Sequence, residues 1–127
     1  MTNSNSCTAA FTQIAGIEGL TGLQDESYEM VVAFRRRHDV IVDGLNDVPG
    51  FTCLKPEGAF YVFPNVEGTG KTCTFLEDYL LTEAGVVTLS GTSFGKCGEG
   101  FLRLSYTNSV ENIEKALTRI KEAIGKL

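Results

Sequence analysis

The sequence predicts an α+β domain in which a small antiparallel or mixed sheet of three or four strands is covered on one face by helices and preceded by a long N-terminal helix. Three observations support this class: apolar residues recur every three or four positions in several segments, short β-rich runs lie between them, and the two kinds of segment come in mixed order. The 127 residues, 43% hydrophobic and 21% charged, are the right size for one domain, so we assign residues 1–127 to a single domain.

The N-terminal third of the chain has helical periodicity. From about Asp25 to Asp47 the apolar residues predict a long amphipathic helix, and Pro49 and Gly50 end it. A shorter helix is expected before it, over about residues 7–20.

Two further helices are predicted in the C-terminal half. Thr74 and Glu77 have the spacing of a capping box and would begin a helix that ends at Gly85. The last helix is the clearest, with Asn108 and Glu111 placed to cap its start. Its apolar positions keep steps of three and four residues: Val110, Ile113, Leu117, Ile120, Ile124 and Leu127.

Short β-rich runs predict the strands, at Phe51–Leu54, Ala59–Phe63, Val86–Leu89 and Phe101–Tyr106. The turn sequence Lys55–Gly58 separates the first two, which are expected to pair as a hairpin. A glycine-rich loop, Gly91–Gly100, precedes the last strand.

The last of these strands carries an arginine in an otherwise apolar segment. Because strand side chains alternate between faces, Leu102 and Leu104 are predicted to face the core, whereas Arg103 lies on the opposite face with Phe101 and Ser105. An arginine on a rigid strand presents a planar fork of donors that suits a carboxylate or a phosphate. From this segment alone, a solvated arginine on an open sheet face is the favoured interpretation, and anion recognition is the alternative.

Charge and hydropathy argue against two classes of partner. The net charge is −5 and the isoelectric point is near 4.8, so a nucleic-acid or anionic-membrane surface is not expected. The cluster Arg35–Arg37 falls within a helical pattern and is interpreted as a solvated helix face. No apolar run reaches the length of a membrane span and the polar start is unlike a signal peptide, which predicts a soluble, cytoplasmic protein.

Several other motifs are weak. The segment Asn65–Thr72 ends like a phosphate-binding loop, but Asn65 stands where that loop needs its first glycine, so a plain connection is favoured. Ser93 and Lys96 have a serine–lysine spacing that occurs by chance in many chains. His38 has no nucleophile near it in sequence, which favours a surface or half-buried histidine over a catalytic one.

The four cysteines are interpreted as free thiols rather than as a metal site. They are scattered without a C-x-x-C pair, and His38 is the only histidine that could join them. The four are Cys7, Cys53, Cys73 and Cys97.

Three motifs in order resemble one family. The segments Lys55–Pro64, Gly91–Gly95 and Phe101–Tyr106 look like the C-terminal small domain of class I pyridoxal-phosphate (PLP) aminotransferases, and are most similar to bacterial-type aspartate aminotransferases. The segment Ser4–Thr8 and the long helix extend the resemblance over essentially the whole chain.

The resemblance implies roles for three residues. Arg103 matches the arginine that makes a bidentate pair with the substrate α-carboxylate, and Phe60 matches a phenylalanine near the substrate. Asn5 matches an asparagine that approaches the neighbouring subunit's active site, although Ser6 stands where the family commonly has proline. Residues 107–109 read Thr-Asn-Ser where the family commonly has Ala-Thr-Ser.

The resemblance also implies what lies outside this sequence. In the family a large domain binds PLP through a lysine in an S-K segment, and no such motif occurs here, so the chain alone is expected to be inactive. The implied enzyme is a homodimer that transfers an amino group between an amino acid, aspartate-like by overall resemblance, and a 2-oxo acid. A stand-alone module that binds a carboxylate metabolite or a partner chain is the alternative.

Overall fold

The computed structural model describes residues 7–127, and its contacts divide the chain into two compact units, one ending at Val32 and the other beginning at Ala33. The helices are α1 (Ala10–Thr21), α2 (Asp25–Asn46), α3 (Cys73–Tyr79) and α4 (Val110–Ile124), and the strands are β1 (Tyr61–Val62), β2 (Leu89–Ser90) and β3 (Leu102–Ser105). A π-helical turn, Leu80–Ala84, continues α3, and single 3-10 turns lie at Glu67–Thr69, Gly91–Phe94 and Lys96–Gly98. The predicted α+β class is confirmed.

The long helix α2 buries its C-terminal half. Ile41, Val42 and Leu45 are fully buried in the core of the second unit. The helix end is closed by Asn46, whose amide nitrogen donates to the Cys53 carbonyl and whose amide oxygen accepts from the Cys53 backbone N–H at 2.8 Å. The chain then turns at Gly50, where φ is 81°, as the predicted Pro-Gly stop requires.

The sheet is antiparallel with β3 in the centre, in the order β1-β3-β2. Tyr61 lies opposite Ser105, and Leu89 lies opposite Arg103. The predicted hairpin between Phe51–Leu54 and Ala59–Phe63 is reduced to one antiparallel bridge just beyond the second run, in which Thr52 and Asn65 exchange two backbone hydrogen bonds of 2.9 and 2.8 Å. The chain enters β1 after Ala59, whose φ is 61°, and β1 itself pairs with β3.

The alternation predicted for β3 is confirmed. Leu102, Leu104 and Tyr106 are buried, whereas Arg103 is half-buried and Ser105 is exposed. The inner face of β3 therefore packs into the single core formed with residues of α2, α3 and α4.

Two helix caps differ from the prediction by a residue or two. Helix α3 begins at Cys73, so Thr72 rather than Thr74 is the cap and accepts from the Phe75 N–H at 3.3 Å. Ser109 caps α4, and Asn108 supports it from the preceding position. In each case the residue at the cap position is a neighbouring hydroxyl residue with a similar preference for helix caps.

None of the helices in residues 7–127 combines the length and the apolar character that a membrane crossing needs. The same residues contain no group of three or more His, Cys, Asp or Glu side chains placed to hold a metal ion.

We expect Gly98→Ala to destabilise the fold by about 1–3 kcal/mol, because an added Cβ would collide with the Gly91 carbonyl oxygen where the two ends of the 91–98 loop meet. Chemical denaturation of both forms measures the loss. Gly58→Ala is the matched control, since a Cβ there meets nothing within 4 Å. Equal denaturation midpoints for the two variants would show that the ends of the loop accommodate the extra methyl group without loss of stability.

The thiols should react in two classes. Burial raises the pKa of Cys53 to about 11, so at pH 8 only about one molecule in a thousand carries its thiolate, and Cys73 is fully buried. Exposed Cys7 and Cys97 should react at once with a thiol reagent, and the other two only after denaturation. Cys97→Ser should remove one fast-reacting equivalent; four fast thiols in the native chain would contradict the buried placement.

Candidate functional site

The side of the sheet away from the core, here called the outer face, collects aromatic residues around one cation. Antiparallel pairing places residues that lie opposite each other on the same face. The outer face accordingly consists of Tyr61, Phe63, Leu89, Phe101, Arg103 and Ser105.

Arg103 lies against two aromatic rings. Its guanidinium carbon is 4.3 Å from the ring centroid of Tyr61 and 4.3 Å from that of Phe94. These distances are well within the range of cation–π attraction, in which the cation lies over the face of an aromatic ring. Within residues 7–127 the guanidinium has no hydrogen bond or ion pair, so its N–H donors are available to a ligand.

Phe94 reaches this position from the turn Gly91–Phe94, which polar contacts centred on buried Ser90 and Cys73 hold. Ser90 is buried, and its hydroxyl donates to the Cys73 sulfur at 3.1 Å and contacts the Thr92 hydroxyl at 2.8 Å. The Cys73 thiol in turn donates to a carboxylate oxygen of Glu99. The network ties both ends of the loop to α3 and so fixes the ring that flanks Arg103.

Phe60, the second predicted site residue, lies beside the outer face. Its ring centroid is 4.5 Å from that of Tyr61 and 6.5 Å from that of Phe34 on α2. Its carbonyl accepts from the Tyr106 N–H at 3.1 Å. The structure thus brings Phe60 next to a ring that touches Arg103. The third predicted residue, Asn5, lies outside the described residues.

The sequence did not indicate Tyr61 and Phe94 as partners of Arg103. Tyr61 could have been found from the strand alternation, had the pairing of β1 with β3 been predicted. Phe94 sits in a loop, where periodicity gives no direction.

The segment Asn65–Thr72, which ends like a phosphate-binding loop, has an ordinary structural explanation. Asn65 accepts from the Glu67 backbone N–H, and Gly68 packs so closely on Gly50 that a Cβ there would lie 2.8 Å from the Gly50 carbonyl oxygen. The close approach of the two backbone segments therefore explains the glycine at position 68. Lys71 lies over the Phe75 ring, at 5.6 Å from its centroid, on α3.

The outer face can bind an anion but does not fit PLP. A carboxylate can accept two parallel N–H bonds from the edge of the Arg103 guanidinium. The residues that form the outer face include no lysine that could hold the cofactor covalently and no histidine or carboxylate that could move a proton. The face thus offers a cation for an anion and no group for covalent or acid–base chemistry.

Comparison with known proteins decides the family. A sequence model described as "Aminotransferase class I and II" matches residues 1–120. This chain belongs to that family. An aspartate aminotransferase of Pyrococcus horikoshii is 42% identical over 120 residues, which are 91% of this chain and 30% of that protein.

Two solved structures of the family share the fold. The aspartate aminotransferase from Rhizobium meliloti superposes with a TM-score of 0.91 at 36% identity, covering 98% of this chain and 33% of that one. An alanine aminotransferase from Pyrococcus furiosus gives a TM-score of 0.90 at 34% identity, covering 95% of this chain and 31% of that one. The chain therefore spans about a third of the length of the aminotransferases that it matches.

Phe94→Leu should loosen Arg103, because it removes one ring from the guanidinium and with it about 0.5–1 kcal/mol of cation–π attraction. The measurement is the nitrogen-15 order parameter of the Arg103 side chain in the labelled chain. Phe75→Leu is the control, since Phe75 is a phenylalanine of similar exposure, 45% against 50%, that carries a different cation. A side chain equally ordered in both variants would rule out the ring contact as what holds Arg103.

Proposed function

We propose that this chain supplies the substrate-binding arginine of a PLP-dependent aminotransferase, which transfers an amino group between an aspartate-like amino acid and a 2-oxo acid. The observation that carries the proposal is the state of Arg103: its guanidinium lies over two aromatic rings, and its N–H donors have no partner in residues 7–127. The preference for an aspartate-like substrate rests on the printed names of relatives such as the Pyrococcus horikoshii enzyme. A solved structure of similar fold is named an alanine aminotransferase, so the proteins similar to this chain differ in the amino acid after which they are named.

Arg103 positions the substrate. A charge-assisted bidentate pair with the α-carboxylate contributes about 1.5–3 kcal/mol net, and more when the site closes and excludes water. The strand holds the arginine in one place, so the carboxylate becomes a fixed point from which the bonds at Cα take their orientation. Phe60, next to Tyr61, bounds the substrate on the side of β1. Asn5 would act toward the neighbouring subunit of a homodimer.

The cofactor belongs to the rest of the enzyme. PLP, when bound, supplies the electron sink that amino-group transfer needs. The outer face has no residue to hold it, so we assign the cofactor to a large domain in the part of the relatives' length that this chain does not span. The present chain is then a small domain that moves as a lid and carries Arg103 to the substrate. We place the enzyme in the cytoplasm.

Arg103→Ala, made in the enzyme that contains this chain, should lower kcat/KM by about two orders of magnitude or more, because both the charge and the fork of donors are lost. Arg103→Lys should recover only part of the loss, since an ammonium group is a point charge without the bidentate geometry. Steady-state kinetics with the amino acid varied measures both.

The matched control is Arg119→Ala, which removes an exposed arginine from α4, on an element that contributes nothing to the outer face. It should leave kcat/KM unchanged. An Arg103→Ala enzyme with the kinetics of the Arg119→Ala enzyme would refute the proposed role of Arg103.

A further inference from the structure

Tyr106, the residue that follows β3, donates hydrogen bonds to two successive carbonyl groups. Its hydroxyl donates to the Ala59 carbonyl at 2.6 Å, and its backbone N–H donates to the Phe60 carbonyl at 3.1 Å. The first bond is at the short end of the range for O–H donors. Within residues 7–127 no other donor reaches the Ala59 carbonyl. The hydroxyl therefore holds the peptide group between Ala59 and Phe60, at the entrance to β1.

The packing of the Tyr106 ring does not explain why the ring carries a hydroxyl. The residue is 3% exposed, and its ring meets the rings of Phe34 and His38 on α2 edge-on, at centroid distances of 6.1 and 5.9 Å. A phenylalanine would make the same ring contacts. A buried hydroxyl costs free energy unless it forms a hydrogen bond. The bond to the Ala59 carbonyl is therefore the contact that accounts for the hydroxyl.

Ala59 has a backbone conformation that needs support. Its φ is 61°, and no other residue of 7–127 apart from glycines has a positive φ. In this left-handed region the Cβ of an L-residue lies too close to the following carbonyl oxygen. The Ala59 side chain is exposed, so its burial does not offset that cost. The hydrogen bond that its carbonyl accepts from Tyr106 is the contact that does.

The conformation of Ala59 bears on the proposed carboxylate site, that is, Arg103 and the rings beside it, through the next two residues. The Phe60 ring centroid lies 4.5 Å from that of Tyr61, and the Tyr61 ring centroid lies 4.3 Å from the guanidinium carbon of Arg103. Tyr106 directly follows the strand that carries the arginine. Its two hydrogen bonds therefore tie that strand to the segment that carries the rings.

The start of the same segment has a separate contact. His38 is half-buried, and its Nε2 lies 3.1 Å from the carbonyl oxygen of Pro56. This contact holds residue 56 and does not reach Ala59 or Phe60. The end of the segment that lies nearest to the carboxylate site therefore depends on Tyr106.

We propose that Tyr106 is a positioning residue for the carboxylate site, because its hydroxyl holds Ala59 in the left-handed conformation and thereby fixes the Phe60 ring. The fixed ring bounds the site beside Tyr61, which contacts the arginine. This rests on the proposed role of Arg103 as the carboxylate-binding residue. Without the hydroxyl, the peptide group between Ala59 and Phe60 turns more freely and the Phe60 ring no longer keeps one position. The arginine remains, but the substrate is bounded less closely, so affinity for the amino acid falls.

The first test needs no substrate and compares Tyr106→Phe with Tyr79→Phe in the 127-residue chain. Tyr79 is the matched control, because its hydroxyl also donates to a backbone carbonyl, that of Ala123 on α4, at 3.0 Å. Each variant keeps its aromatic ring and loses one hydrogen bond of the same kind. A loss of stability common to both variants is thereby separated from an effect on the residues beside the site.

Two nuclear Overhauser effects report the geometry. The effect between the amide proton and the Hα of Ala59 is strong at positive φ, and the effect between the rings of Phe60 and Tyr61 reports their contact. We expect both to weaken in Tyr106→Phe and to keep their wild-type strength in Tyr79→Phe. Wild-type signals in Tyr106→Phe, or equal weakening in both variants, overturn the proposal.

A second substitution tests whether the effect passes through Ala59. Glycine adopts a positive φ without strain, so Ala59→Gly reduces the need for the hydroxyl. When it is added to Tyr106→Phe, the signal between the rings of Phe60 and Tyr61 should regain part of its strength, with Ala59→Gly alone as the reference. A weakening that Ala59→Gly leaves unchanged overturns the proposal, because the hydroxyl would then act by another route.

The third test is kinetic and uses the enzyme that contains this chain. Tyr106→Phe should raise the KM for the amino acid about 2- to 10-fold, the loss expected for one hydrogen bond, with a smaller change in kcat. Tyr79→Phe should keep both constants, whereas a general loss of active enzyme would lower the apparent kcat and leave KM unchanged. Adding Ala59→Gly to Tyr106→Phe should recover part of the KM. Equal KM values for Tyr106→Phe and Tyr79→Phe overturn the proposal.

The two proposals fail separately. If Arg103→Ala keeps full activity, the proposed function fails, while the spectra of the first test still decide whether Tyr106 holds Ala59 and Phe60 in place. If Arg103→Ala is inactive and Tyr106→Phe behaves like Tyr79→Phe, the positioning role alone fails.

Discussion

The burial of the inner face of β3 is the constraint on which the site depends. The strand lies between β1 and β2, so both of its edges are hydrogen-bonded and its register is fixed. A slip of one residue would expose Leu102 and Leu104 and would bury the Arg103 charge in the core. An uncompensated buried charge costs several kcal/mol, comparable to the net stability of a small domain. The position of the arginine is therefore secured by the same packing that stabilises the fold.

The surroundings of Arg103, in the part of the chain that the structure describes, attract the charge of its guanidinium and leave its hydrogen-bond donors unoccupied. The rings of Tyr61 and Phe94 attract its charge, and no acceptor within residues 7–127 occupies its N–H donors. A neighbouring carboxylate would have held the side chain more strongly, but it would have occupied the donors and competed with a substrate. The chain has a net charge of −5, so carboxylates stay away from this arginine only if the sheet topology places other residues around it. The aromatic outer face provides it.

The sequence predicted the fold class, the helices and the two faces of β3 because each rests on a periodic pattern several residues long. It failed where a structure depends on a single dihedral angle or on a long-range partner. Ala59 has a positive φ that its sequence does not predict, and the pairing of β1 with β3 joins Tyr61 to Ser105, which lies far along the chain. In the site, Arg103 and Phe60 were found through their resemblance to family motifs. Phe94 and His38 contact residues outside their own elements, Arg103 and Pro56 respectively, and no local pattern encodes such contacts.

The close approach of Gly91 and Gly98 gives the loop between them a particular character. Backbone meets backbone there, and the Ser90–Cys73–Glu99 network fastens the strand on one side and the exit on the other. The enclosed residues form a nearly closed ring of chain whose base is fastened mainly by residues outside the ring, with Thr92 as the contact from within it. A change of residue at Phe94 alters what lies over the arginine. Exchange of this one short segment would thus change the surroundings of the arginine, while the strand that carries the charge stays the same.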